Sequence, residues 1–184
     1  MVCGPSSRLP REPRGISLKR LVHLALFALA LTGCASNFDD PGPRAQRPGG
    51  VFPQVVQPDR PLQCVAYVRA ETGVSIWGDA WNWWEKAAGR YGRSDEPADG
   101  AVLVMKGYGD NGRGHVAVVR RVLSRREIVV DHANWLNGGE ISLDSPVLDV
   151  SADNDWSRVR VWYTPGSHYG GRVYEVEGFI LSSD

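Results

Sequence analysis

Beyond residue 100 the chain adopts a single repeating character. Pro97-Ala98-Asp99-Gly100 is followed by five short runs: AVLVM (101–105), HVAVVRRV (115–122), EIVVDHA (127–133), RVRVWY (158–163) and VYEVEGFI (173–180). All are rich in β-branched and aromatic residues and are parted by Gly, Asp and Asn, the pattern of strands joined by turns. Ahead of that point the pattern is helical. Cys64 to Ala70 places Val65 and Val68 on one stripe, with Gly73 positioned to stop the turn. A second helix is expected from Asp79, which can cap it, through WNWWEKAA to Gly89. Helices first and strands afterwards predict an α+β domain.

The N-terminal third has a different composition. An Arg- and Pro-rich stretch ends in Lys19-Arg20 and leads into LVHLALFALAL (21–31), then Thr32-Gly33-Cys34. A basic flank, a largely apolar segment of eleven residues and a small-residue exit describe an export signal, too short to remain as a membrane span. Leu31-Thr32-Gly33-Cys34 resembles the bacterial lipoprotein lipobox. The resemblance implies that residues 1–33 are a lipoprotein signal peptide and that Cys34 carries a lipid. The protein would then be held to a membrane in the cell envelope, facing the periplasm. Ala35 rather than Asp after the cysteine implies the outer membrane. Ser36 to Pro61 holds six prolines and three glycines with little periodicity. It reads as a tether, giving a lipidated tether over 34–60 and a folded domain over 61–184.

Of the three cysteines, Cys3 would leave with the signal and Cys34 would become a thioether, so Cys64 is the one thiol left to the mature domain. A single cysteine in an oxidising compartment forms no internal disulfide, so Cys64 is either packing or chemistry. Five of the 21 basic and one of the 21 acidic residues lie before Cys34, leaving 16 against 20. A mildly acidic body argues against nucleic acid as a partner. Seven tryptophans all follow residue 76; Trp77, Trp81, Trp83, Trp84 and Trp135 could line a cleft or fill the core.

Cys64 stands where a helix begins. Unpaired backbone N–H groups and the helix dipole at that position favour thiolate over thiol. A nucleophile there needs a base, and the mature chain offers His115, His132 and His168. His115 opens a strand directly after Gly114, which lets another backbone come close. His132 lies in the next strand with Asn134 on its face and Asp131 on the other, and antiparallel pairing would bring His115 and His132 together. A zinc site built on these residues lacks HExxH or paired-Cys spacing, so no metal is expected.

Leu62-Gln63-Cys64-Val65-Ala66-Tyr67-Val68, Gly78-Asp79-Ala80-Trp81, Pro97-Ala98-Asp99-Gly100-Ala101-Val102, Gly114-His115-Val116-Ala117-Val118-Val119 and His132-Ala133-Asn134-Trp135 together resemble the CHAP family of cysteine- and histidine-dependent amidohydrolase/peptidases. The resemblance implies a papain-like cysteine hydrolase fold of the NlpC/CHAP type, with N-terminal helices followed by an antiparallel sheet. It also implies hydrolysis of a peptidoglycan amide, in the stem peptide or at N-acetylmuramoyl-L-alanine, without a cofactor. Carried over by residue, Cys64 falls on the nucleophile, His115 on the general base and Gln63 on the oxyanion-binding neighbour, with Asn134 in support. The family usually has Glu two residues before the Asn, where this chain has His132. Related NlpC-type cell-wall peptidases commonly use His there, so His132 is the expected orienting residue and Asp131 the alternate. The competing reading is a peptidoglycan-binding module that has lost turnover. Dependence on a protein activator is left open.

Overall fold

Each of the five runs becomes a strand in the computed structural model, which describes residues 50–107 and 112–182. The export signal, Cys34 and the tether up to residue 49 lie outside the described residues. In chain order the strands are β1 (Gln54–Val56), β2 (Gly92–Ser94), β3 (Val102–Met105), β4 (His115–Ser124), β5 (Glu127–Ala133), β6 (Ile141–Asp149), β7 (Arg158–Tyr163), β8 (His168–Tyr169) and β9 (Tyr174–Leu181). The helices are α1 (Cys64–Thr72) and α2 (Trp83–Ala87), the latter preceded by a single 3-10 turn over Ala80–Asn82.

The sheet closes on itself. Antiparallel pairing runs β3 to β4, β4 to β5, β5 to β6, β6 to β7, β7 to β9 and β9 back to β3, which makes a six-stranded barrel. This corrects the expected architecture. The described chain is mostly β with two short helices, not an α+β papain-like fold of N-terminal helices followed by a sheet. Two features account for the difference. The predicted second helix stops at Ala87 because Ala88 turns extended (φ −54°, ψ 128°), and Asp79 makes no side-chain capping bond. The ring needs β6, whose sequence ISLDSPVLD carries Asp144 and Pro146 and so looks like loop punctuation rather than strand. β6 accommodates them with a register slip opposite Val130–His132, and Asp144 sits at φ 51°.

Closure creates two apolar compartments. Leu103, Met105, Ala117, Val119, Ile128, Val130, Trp156 and Phe179 fill the barrel. Tyr67, Val68, Ile76, Trp83 and Ala87 pack outside it on Val102, Val104, Val116, Val118 and Ala133. β3 and the first half of β4 are therefore buried on both faces, which is why their runs read as continuously apolar.

Packing begins earlier than Pro61. Val51 is 1% exposed, and β1 pairs with β6 at Gln54↔Leu143, Val55↔Ser142 and Val56↔Ile141. The end of the segment read as tether thus contributes a strand. The chain entering α1 is held by Leu62 N–H donating to the Gly139 carbonyl at 3.0 Å. At Gly139 (φ +104°) a Cβ would come within 2.7 Å of Pro61 Cα, so only glycine permits that approach.

Candidate active site

Cys64 is the first residue of α1, and Gln63 occupies the N-cap position in extended conformation. The backbone N–H groups of Val116, Val65 and Cys64 itself lie close enough to the Cys64 sulfur to favour its charged form. The nearness of Val116 sets the sulfur at the start of β4, the strand that His115 opens. Burial pushes the Cys64 thiol up from its ordinary value; the three N–H groups pull the other way and Asp79 adds to the rise. Burial therefore works against the thiolate that the helix start favours. Helix-start donors reach the sulfur, but removal from water outweighs them.

By alternation along their strands, His115 and His132 share the inward side with Ala117, Val119 and Val130. The two imidazoles meet, His115 Nε2 to His132 Nδ1, at 3.1 Å. His115 is 8% exposed and His132 is fully buried. Burial lowers His115 to about 3; burial, then the neighbouring His115, holds His132 well below the usual imidazole range. Both rings are therefore neutral at physiological pH. If His115 is to take a proton at Nδ1, its own hydrogen must sit on Nε2 and donate to His132 Nδ1, which places the His132 hydrogen on Nε2. That Nε2 is buried without a partner among the described residues. Trp135 covers the pair, stacked on His132 (centroids 5.3 Å, 22°) and edge-on to His115 (4.7 Å, 63°), with Tyr174 against its far side at 4.9 Å.

Asp131 is engaged elsewhere. Arg120 Nε donates to it at 2.5 Å and the Asp144 N–H at 2.7 Å, so it plugs the β6 bulge on the face opposite His132. The extra residue of the slip lies in β6, and β5 keeps its alternation through Asp131 and His132. Arg120 also donates to Glu71 at 2.6 Å and to the Tyr67 hydroxyl at 3.3 Å, tying α1 to β4 and β5. This tie was not foreseen, although Cys64, Tyr67 and Glu71 at i, i+3 and i+7 share one helical stripe and could have signalled it. Asn134 does not continue the His132 face. It lies past the end of β5 at φ 57°, where its side-chain N–H donates to Gln63 Oε1 at 2.9 Å and links the N-cap of α1 to β5. His168 belongs to the β7–β8 hairpin, where it bonds the Tyr169 carbonyl and packs on Tyr163.

Gly114 (φ +68°) does allow a close backbone approach. Trp81 N–H donates to the Arg113 carbonyl at 2.9 Å, and a Cβ on Gly114 would lie 2.6 Å from that nitrogen. Of the tryptophans considered for a cleft, Trp83 is core, Trp77 and Trp81 are exposed, and Trp135 walls the site. A pocket of about 350 Å³ opens beside the histidines, lined by Met105, Lys106, Arg113, Gly114, His115, Asn134, Trp135, Leu136, Arg172 and Tyr174.

Comparison with known proteins places this geometry in a family context. The CHAP domain family matches residues 56–134, the span that holds Gln63, Cys64, His115, Asp131, His132 and Asn134. No curated protein matches the chain. Among solved structures, a crystal structure of N-acetylmuramoyl-L-alanine amidase from Staphylococcus aureus is similar at 28% identity, with a TM-score of 0.39. The match covers 63% of this chain and 30% of that one, so the chain spans about a third of its length.

Proposed function

We propose that the protein hydrolyses an amide bond of peptidoglycan, in a stem peptide or at N-acetylmuramoyl-L-alanine, with Cys64 as nucleophile and His115 as base. The observation that carries this reading is the 3.1 Å His115–His132 bond at the start of β4, the strand whose Val116 N–H approaches the Cys64 sulfur. The match of residues 56–134 to the CHAP domain supports it.

The resting pair is a neutral thiol and a neutral imidazole. As the sulfur attacks the amide carbonyl, its proton passes to His115 Nδ1, and the developing imidazolium is oriented through Nε2 by His132. His115 then protonates the departing nitrogen, leaving a thioester on Cys64. Water, losing a proton to the same nitrogen of His115, releases the acid and restores the thiol. The Asn134 to Gln63 bond steadies the N-cap of α1, which supports Gln63 as the neighbour that helps bind the carbonyl oxygen. The reading includes the anchor: a lipid on Cys34 would hold the domain at the periplasmic side of a membrane, probed by Cys34→Ser, which should leave the protein unlipidated and out of the membrane fraction.

The test is digestion of purified peptidoglycan with mass analysis of the fragments. Cys64→Ala and His115→Ala should each abolish new fragments, and the two losses should not add, because the residues act as one unit. Full digestion by Cys64→Ala would overturn the enzyme reading and leave a binding module.

A further inference from the structure

The pocket beside the histidines carries a charge pattern that hydrolysis itself does not require. Lys106, Arg113 and Arg172 come to it from three separate segments, and no Asp or Glu lines it among the described residues. Lys106 has an ion-pair partner, Glu175, at 3.5 Å, but both side chains are largely exposed at 44% and 67%, and such pairs hold little energy. Met105, Trp135, Leu136 and Tyr174 give the wall an apolar and aromatic face, with Asn134 a neutral polar side chain beside it. A volume of about 350 Å³ falls within the range of small-ligand sites.

Its position gives the pocket a direction. His115 lines it and Cys64 does not. In an acyl transfer from nitrogen to sulfur the acyl half stays on the sulfur, while the nitrogen that leaves must lie within reach of the histidine that protonates it. The pocket on the histidine side therefore receives the amine half of the substrate. We infer that this pocket selects substrates whose amine half bears a carboxylate, held by Lys106 and Arg113 while the chain behind it rests on Trp135. The inference rests on the hydrolase reading for its direction, but binding alone can test the charge preference.

The experiment uses soluble muropeptides released by a muramidase, and the same pool with its carboxylates converted to methylamides. Binding of each pool to full-length Cys64→Ala protein is followed by tryptophan fluorescence, and turnover of each by the unsubstituted protein is followed by mass analysis. The native pool should bind about tenfold more tightly, the size of one charge-assisted hydrogen bond. The double substitution Lys106→Gln/Arg113→Gln, made in the Cys64→Ala background, should bring the ratio of the two affinities close to one. Equal binding of the two pools, no binding of either, or a preference that survives the double substitution would overturn the inference. A preference without any turnover would sink the hydrolase reading and keep the carboxylate-binding pocket; turnover without preference would do the reverse.

Discussion

Replacing His132 by glutamate is the most informative single change, because it puts a negative charge where the chain has a neutral ring. His132 Nδ1 lies 3.1 Å from His115 Nε2, and His115 is held at about 3 by burial alone. A carboxylate about 4 Å from the imidazolium centre is worth roughly 4 kcal/mol at an effective dielectric of about 20. At about 1.36 kcal/mol per unit that corresponds to some three pH units. The carboxylate must itself leave water at a fully buried position, which offsets part of the gain, so a net rise of about two units is expected. The assay is the pH dependence of kcat/KM on soluble muropeptides, with NMR titration of the His115 ring as a check independent of turnover. In His132→Glu the acid limb and the ring titration should both move up together. Asp131→Asn should move neither, because Asp131 faces the Arg120 side of β5, although losing that ion pair should destabilise the fold by about 2–3 kcal/mol. A folded His132→Glu protein whose His115 titration stays in place, or an Asp131→Asn protein whose titration falls, would refute the assignment of position 132 as the partner of His115.

Acid stability follows from the same burial. Both histidines are depressed in the fold, so the unfolded chain takes up protons first as pH drops below about 6.5, and stability should be complete above that value and decline towards pH 3. Denaturant midpoints across that window should show a slope of about 1.4 kcal/mol per pH unit for each histidine, and His132→Asn should reduce it. Gly114→Ala should destabilise the protein by about 2–4 kcal/mol and lower turnover, since it forces a side chain into left-handed backbone and against Trp81; thermal melting and the digestion assay check this. Removing residues up to 49 should leave the melting temperature unchanged, whereas removing up to 60 deletes β1 and the buried Val51 and should cost at least about 2 kcal/mol. Equal melting temperatures for the two truncations would show that β1 adds nothing.

Properties that depend on neighbours in sequence were legible without a structure. Runs rich in β-branched and aromatic residues, parted by turn residues, located β3, β4, β5, β7 and β9; Gly73 ended α1 at Thr72; and strand parity separated Asp131 from His132, because side-chain direction alternates with each residue whatever the strand pairs with. Properties that depend on residues far apart were not. Ring closure needs β6 to pair with both β5 and β7, and a strand interrupted by Asp144 and Pro146 is stabilised by those neighbours rather than by its own propensity. The burial that opposes a thiolate at Cys64 was not legible for a related reason: a helix start favours thiolate, but how deeply the sulfur is buried is set by the barrel wall, including Val116, 52 positions away. The same holds for the Arg120 tie to α1 and for the three cations around His115. Local sequence determines the backbone's periodicity and the side on which each residue projects. Desolvation, charge pairing and the walls of a pocket are set only when the closed sheet brings distant segments within a few ångströms of one another.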